Sequence, residues 1–465
     1  MNGALELVTP KHMPPLDDAF RPAVLANHAF LEEVKQSKVG KPLIIGLERS
    51  NGLISRFETQ VFPEEHDRAE ANLFYAERIL KFLLWQRGGW KIYVGGPRSI
   101  GKHLAGCYSP GGIRSFDYHF MGEDVYEETL TVVPCDPSDV PQEVEGGKPL
   151  GGHLDGCRIG FDLGASDRKV SAVIDGEVVF SEEVIWEPRV QNDPDYHYHE
   201  VISALKKAAK KLPRIDAIGG SAAGIYIDNQ VRIASLFRGI PKERYHEARS
   251  IFLRIRDEMG VPLVIVNDGD VTALAGSMSL EDNGVLGIAM GSSEAGGYVD
   301  LEGNISGWLN ELAFAPVDYN PEAPVDEWSG DRGVGAQYFS QECVFRLAAK
   351  VGITVPAGVA KAEQLMSVQE KLEAGDTRAE FIWRSIGDYL GYGLAHYADF
   401  YDLKHVLILG RCTSGRGGNL ILEGAQKVIQ DEFPAIAEKV SIQLPDEKSR
   451  RVGQSIAAAS LPAFI

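Results

Sequence analysis

The sequence predicts an α/β protein of two halves facing each other across a cleft, preceded by an N-terminal α/β extension. A run of three short β segments occurs twice, at 157–184 and again at 285–308, and each run is joined to helices and further strands that would layer against it. The repeat is domain-sized. A linker crowded with prolines, acids and glycines, 135–152, separates the repeated part from everything before it.

Residues 1–40 are punctuated by prolines and charges. From Pro42 to Phe62 apolar runs flank a Ser50-Asn51-Gly52 turn, the pattern of a hairpin. A helix over Asp67–Gln86, a strand at Lys91–Val94 and a loop rich in Gly, Ser and Pro complete the extension, 1–150. The first half, 153–280, opens with Cys157–Gly164, Lys169–Asp175 and Val178–Val184, with an Asp175-Gly176 turn between the last two. A helix (His199–Lys211), a strand (Ile215–Gly219), a helix (Lys242–Met259) and a strand (Leu263–Val266) follow, and the last strand runs into Asn267-Asp268. The second half, 281–449, repeats the meander as Val285–Met290, Gly297–Asp300 and Asn304–Trp308. Helices over Gly335–Lys350, Val359–Ala374 and Arg378–Tyr401 come next, then a strand at His405–Leu409, a Gly-rich turn and a helix to Glu432. A final helix near Gly453–Leu461, within 450–465, is assigned to the first half.

With 465 residues, 44% hydrophobic and 24% charged, the chain has room for two or three cores of about 100–150 residues. A net charge of −19 with no basic block argues against a nucleic-acid or anionic-membrane surface and favours small-molecule partners. The start lacks a basic-then-apolar leader, and no run reaches the roughly 18 apolar residues of a membrane span, so a cytoplasmic location is expected. Cys107, Cys135, Cys157, Cys343 and Cys412 are scattered without a CxxC pair and are read as reduced, structural thiols.

Three loops have the chemistry of a nucleotide site. In Gly160-Phe161-Asp162-Leu163-Gly164-Ala165-Ser166-Asp167-Arg168, small residues let backbone N–H groups approach a phosphate, and the strand-end carboxylate of Asp162 suits Mg²⁺ held through water. In Gly291-Ser292-Ser293-Glu294-Ala295-Gly296-Gly297 the hydroxyls and glycines suit phosphate oxygens, while Glu294 is a misplaced charge unless it faces away. Gly410-Arg411-Cys412-Thr413-Ser414-Gly415-Arg416-Gly417-Gly418 follows a strand and opens a helix, where backbone donors meet an anion. Each loop taken alone is also an ordinary turn; their order and spacing at matching points of a repeat is what points to nucleotide binding.

These loops, with Val266-Asn267-Asp268-Gly269-Asp270-Val271-Thr272-Ala273-Leu274, resemble the ROK family of sugar kinases and repressors within the actin-like ATPase superfamily, over roughly 300 residues. The resemblance implies two RNase H-like, actin/hexokinase-type lobes around a cleft. It implies ATP and Mg²⁺ as cofactors and a sugar as acceptor. Asp162, Gly164 and Ser166 match the first phosphate loop, and Gly291, Ser292, Gly296 and Gly297 the second. Gly410 and Gly415 fall in the adenosine region, Asp268 matches the catalytic base, and Asn267 and Glu311 match sugar ligands. Departures are equally visible. Ala165, Ser293 and Ala295 add β-carbons to the loops, and Leu236, Ala313-Phe314 and Ala336 stand where the resemblance calls for polar sugar ligands. Phe314, Ser329 and Val334 leave no tetrahedral set for the family's zinc, so no zinc is expected. No helix-turn-helix-like segment precedes the fold, which removes the DNA-binding reading.

In this reading Asp268 accepts the proton of an oriented hydroxyl, which an Asp of ordinary pKa near 4 can do in a loose transition state. Asn267-Asp268 also suits the cap of the helix that follows, and the two roles are compatible. His197, His199 and His246 are read as solvated surface, and Tyr389, Tyr392, Tyr397, Phe400 and Tyr401 as core. An ATP-dependent carbohydrate kinase is the first expectation, a catalytically weakened nucleotide or sugar sensor the second, and a structural role the third. The extension is expected to cover the cleft or to make a subunit contact, as in a homodimer.

Overall fold

The structure, a computed structural model, describes residues 5–145, 150–445, 453–454 and 456–463. After Pro22 the chain forms α1 (Ala23–Ser37) and then the expected antiparallel hairpin of β1 (Lys41–Glu48) and β2 (Ile54–Val61). α2 (Ala71–Arg87) is buried on every side except at Leu73 and Phe74. β3 (Lys91–Gly95), α3 (Arg98–Cys107), α4 (Ser115–His119), a π-helical stretch at Phe120–Tyr126 and β4 (Thr131–Cys135) follow. The four strands make a sheet in the order β2-β1-β3-β4. Sequence patterning misses α1 and α3. The glycines that make α3 read as a loop include Gly101, where a Cβ would come within 2.6 Å of the Pro134 side chain on β4.

β5 (Cys157–Leu163), β6 (Asp167–Ile174) and β7 (Glu177–Ile185) form the expected meander. α5 (Pro194–Ala209) is capped by the Asp193 carboxylate, which accepts from the Asp195 N–H. Then come β8 (Ala217–Ala222) and the small ribbon of β9 (Ile225–Ile227) and β10 (Gln230–Ile233). The single helix expected over 242–259 is broken at Ser250 into α6 (Tyr245–Arg249) and α7 (Ile251–Met259). β11 (Leu263–Asn267) runs directly into α8 (Asp268–Leu280). The sheet order is β11-β8-β5-β6-β7, with β11, β8 and β5 parallel.

β12 (Val285–Met290) and β13 (Glu294–Val299) repeat the hairpin. The third strand expected at Asn304–Trp308 is reduced to one bridge, Val299 to Ile305, because Gly303 and Gly307 on either side are left-handed. The helix expected from Gly335 restarts at Ser340, whose hydroxyl caps the Glu342 N–H of α9 (Gln341–Lys350). α10 (Lys361–Glu373), α11 (Thr377–Tyr397), β14 (His405–Leu409), α12 (Arg416–Glu432), α13 (Pro434–Ala437) and β15 (Ser441–Gln443) complete the order. Here the sheet reads β13-β12-β14-β15. Residues 456–459 are helical, whereas 450–452 and 464–465 of the expected final helix lie outside the described residues.

Grouped by compactness, the chain gives two units, each built from segments distant in sequence. Met1–Glu145, Ile288–Gly296 and Trp308–Leu444 form one, and Gly146–Gly287, Gly297–Gly307 and Pro445–Ile465 the other. In the first unit the last carbonyls of α2, which have no partner inside the helix, accept from the chain beyond β13: Asn310 N–H to Gln86 and Glu311 N–H to Trp85, both at 2.9 Å. An ion network also holds this unit. Lys81 pairs with Asp117 at 2.7 Å, Arg78 and Arg114 pair with Glu77, and Arg114 reaches Asp331 at 2.7 Å. Tyr389, Tyr392, Tyr397, Phe400 and Tyr401 are buried, as expected. The second unit packs α5 and α7 on its sheet around Ile159, Phe161, Leu205, Ile218, Phe252 and Ile265. The buried Arg158 donates to the Pro462 carbonyl at 2.7 Å, and Gly219 lies so close to Ala458 that any Cβ would collide with its carbonyl.

Candidate functional site

In the second unit the parallel pairing of β11, β8 and β5 brings three strand ends level: Asp162 is opposite Ser221, and Ala222 is opposite both Leu163 and Asn267. The carboxyl ends of parallel strands are where open α/β sheets bind ligands. The Ser221 hydroxyl donates to Asp162 at 2.7 Å. Burial pushes the Asp162 carboxyl above its ordinary value, and Ser221 and Lys169 pull it partly back. Asp268, half-buried at the first turn of α8, is pushed up to about 6, by burial first and by the charge of Asp162 second. The structure therefore brings Asp162 and Asp268 into one acidic pair. Asn267 caps α8 by accepting from the Gly269 N–H at 2.7 Å, and its amide donates to the Gly224 carbonyl at 2.8 Å. Both ends of that side chain are engaged by backbone.

The turn between β5 and β6 holds Gly164 and Ser166. Its carbonyls accept from Trp186, Gly164 from the indole at 2.8 Å and Ser166 from the backbone N–H at 3.1 Å. A Cβ on Gly164 would sit 2.7 Å from the Asp167 carboxylate and 3.0 Å from its carbonyl, so a larger residue there would have to displace the Asp167 side chain. Gly297 packs on the first turn of α8, where a Cβ would collide with the Gly269 carbonyl.

The first unit holds the other loops. Gly291 and the exposed Ser292 form the tip between β12 and β13, and the Gly291 carbonyl accepts from the Gln341 N–H at the start of α9. Gly410 closes on the end of β12, where a Cβ would strike the Met290 carbonyl, so this unit places the second and third loops side by side. Gly296 rests on the turn before Glu311, a Cβ there being 2.7 Å from the Asn310 carbonyl. Glu311 is half-buried, its backbone fixed to Trp85. Gly415 lies at the N-terminus of α12, where one of the first-turn donors is met: the Arg416 N–H donates to Glu373 of α10 at 2.8 Å. A protein carboxylate thus meets part of that helix end.

Sequence reading missed Ser221 and Glu373, each paired with the site only through the fold. Ser221 had a signal in hindsight, a small hydroxyl residue ending a Gly-Gly strand. The expected solvated His197 is instead 1% exposed, its Nε2 between the Pro188 and Leu236 carbonyls, and burial lowers its pKa. His199 and His246 are exposed as expected. Among the described residues no group of three or more His, Cys, Asp or Glu side chains is placed to hold a metal ion, and no helix is long and apolar enough to cross a membrane.

No protein-family model and no curated protein matches the chain. Among solved structures, the ROK hexokinase from Thermus thermophilus superposes with a TM-score of 0.51 at 19% identity, over 65% of this chain and 97% of that one. The fold is that of the ROK proteins. A ROK family transcriptional regulator, a homologue of the E. coli MLC protein, gives 0.50 at 16% identity, over 66% and 79%. A ROK family glucokinase from Streptomyces griseus, in complex with glucose and AMPPNP, gives 0.45 at 20%, over 65% and 99%. The ROK fold thus accounts for nearly all of the hexokinase, while the remainder of this chain lies outside the match.

Proposed function

We infer that this ROK-fold chain transfers the γ-phosphoryl group of ATP to a hydroxyl of a sugar or sugar-like molecule. The observation that carries the reading is the acidic pair at the strand ends, Asp268 beside Asp162, on a sheet whose topology puts ligands there. Asp268 takes the hydroxyl proton. Raised to about 6, it is still largely ionised at neutral pH and is a stronger base than an exposed aspartate.

Two buried carboxylates, each held above its ordinary value by burial, with the charge of Asp162 also acting on Asp268, form a hard-oxygen environment that a dication would relieve. Asp162, with the Ser221 hydroxyl beside it, is the group to hold Mg²⁺ through water, where the ion would offset the charge of the phosphates. Gly164, Ser166, Gly291, Ser292, Gly296 and Gly297 take the phosphate-loop roles, Gly410 and Gly415 the adenosine side, and Asn267 and Glu311 the sugar. Zinc has no part in this reading, and neither has nucleic acid.

A coupled ADP-release screen over a broad sugar panel tests it, run on wild type and Asp268→Asn together. Loss of a general base lowers rate by about 10²–10⁴-fold, so the variant should lose turnover while calorimetry still shows ATP binding. Because Leu236, Phe314 and Ala336 replace polar ligands, poor activity on glucose and better activity on a modified sugar are expected. If no sugar raises ADP release above the variant's background while ATP binds, the sensor reading replaces this one. Two observations favour that second reading: Glu373 takes up the Arg416 N–H at the start of α12, and the Asn267 amide is committed to Gly224.

A further inference from the structure

Glu294 opens β13 directly after the exposed Ser292-Ser293 tip, yet it is only 2% exposed. Its Oε1 accepts from the Tyr397 hydroxyl of α11 at 2.8 Å. Its Oε2 finds no donor. A Cβ on Gly335 would collide with Oε2 and lie 2.5 Å from the Leu312 carbonyl oxygen, so both oxygens border the same small space, the carbonyl also accepting from the Ala315 N–H. As a carboxylate, Oε2 would set acceptor against acceptor. As an acid it can donate to that carbonyl.

We propose that Glu294 acts as an uncharged acid, a positioning residue whose Oε2 proton bonds the Leu312 carbonyl and ties the second phosphate loop to the turn that carries Glu311. Both ends of this stretch of β13 then rest on that turn, since Gly296 packs on Asn310. No cation bears on Glu294: α11 contributes Tyr397, the Gly335 turn contributes only backbone, and Tyr397 is the one titratable group that acts on it among the described residues. Burial pushes its carboxyl up to about 8, with the Tyr397 bond pulling it back. At neutral pH the loop root carries no charge to oppose an anion at Gly291 and Ser292. Above about pH 8 the proton leaves, Oε2 and the Leu312 carbonyl repel, and a buried negative charge lies behind the loop.

The effect on nucleotide rests on the phosphate-loop reading, whereas the titration itself does not. The folded value lies above that of an exposed glutamate, so this group's contribution to stability is complete below the unfolded pKa near ~4.3 and is lost as pH rises toward 8, changing little beyond.

Thermal unfolding of the full chain from pH 5 to 9.5, with Mg-ADP calorimetry over the same range, tests this on wild type, Glu294→Gln and Tyr397→Phe. Glutamine keeps an acceptor for Tyr397 and a donor for Leu312 but has no proton to lose. Wild type should lose stability progressively from pH 5 to 8 and bind Mg-ADP several-fold more weakly at pH 9 than at pH 7, while Glu294→Gln shows flatter profiles for both. Tyr397→Phe, lacking the bond that lowers the value, should move the inflection to higher pH. If Glu294→Gln does not fold, the Tyr397→Phe shift decides. Parallel profiles for wild type and Glu294→Gln, or an unshifted Tyr397→Phe inflection, would overturn the proposal. Different unfolding profiles with no Mg-ADP binding at any pH would uphold the titrating acid and sink the phosphate-loop reading instead.

Discussion

Asn267 fastens two backbone segments with one amide: its oxygen caps α8 and its nitrogen holds the Gly224 carbonyl. Asn267→Ala removes a cap, about 1 kcal/mol, and leaves a carbonyl without its donor, another ~1 kcal/mol. Urea denaturation should therefore show a loss of about 2 kcal/mol, with Asn267→Ser recovering the cap portion. The capping role was legible because Asn-Asp before a helical run has a local meaning. Ser221 was not, since its partner lies 59 residues away and meets it only through parallel strand pairing. Glu294 defeated local reading for a different reason: a glutamate at a hairpin tip normally faces water, and only the packing of α11 and the Gly335 turn buries it.

α2 shows how a helix can be located from sequence while its surroundings are not. The expected helix over 67–86 is found at Ala71–Arg87, yet Glu77, Arg78 and Lys81 within it are buried rather than solvated. The counter-charges of Lys81 and Arg78 include Asp117 and Asp331, remote in sequence, and Glu77 pairs with Arg78 and the more distant Arg114. Removing one member of a buried pair strands the other. Lys81→Met should cost about 3–5 kcal/mol by denaturant unfolding, and the double change Lys81→Met with Asp117→Leu should recover much of it. An equal loss in single and double variants would mean that packing, and not charge, carries the effect. α1 and α3 went unread because prolines, charges and glycines broke their pattern, and Gly101 of α3 answers to Pro134 of β4 rather than to a turn.

The first meander, the hairpin that repeats it, the strand-loop-helix near the end and the ROK fold were legible because repeats and strand ends are periodic features of sequence. How the chain groups by compactness is a separate matter, because it depends on contacts that sequence order hides. Residues up to Glu145 group with Ile288–Gly296 and Trp308–Leu444, and α2 binds the 310–311 backbone directly. Expression of 153–465 alone should therefore give aggregated or unstable protein, since it strips the partners from buried surface in that unit. A soluble, cooperatively unfolding fragment with unchanged nucleotide affinity would contradict this. The same discontinuity has a consequence for birth on the ribosome. At ~5–20 residues per second, α2 leaves the exit tunnel roughly 15–60 s before the last of its partners in 308–444 has been made. For that interval a helix meant to be covered on nearly every side has only elements close to it in sequence to shield it, such as Asp117 beside Lys81, and nascent chains stalled before residue 308 should be held by chaperones more than chains released after 444.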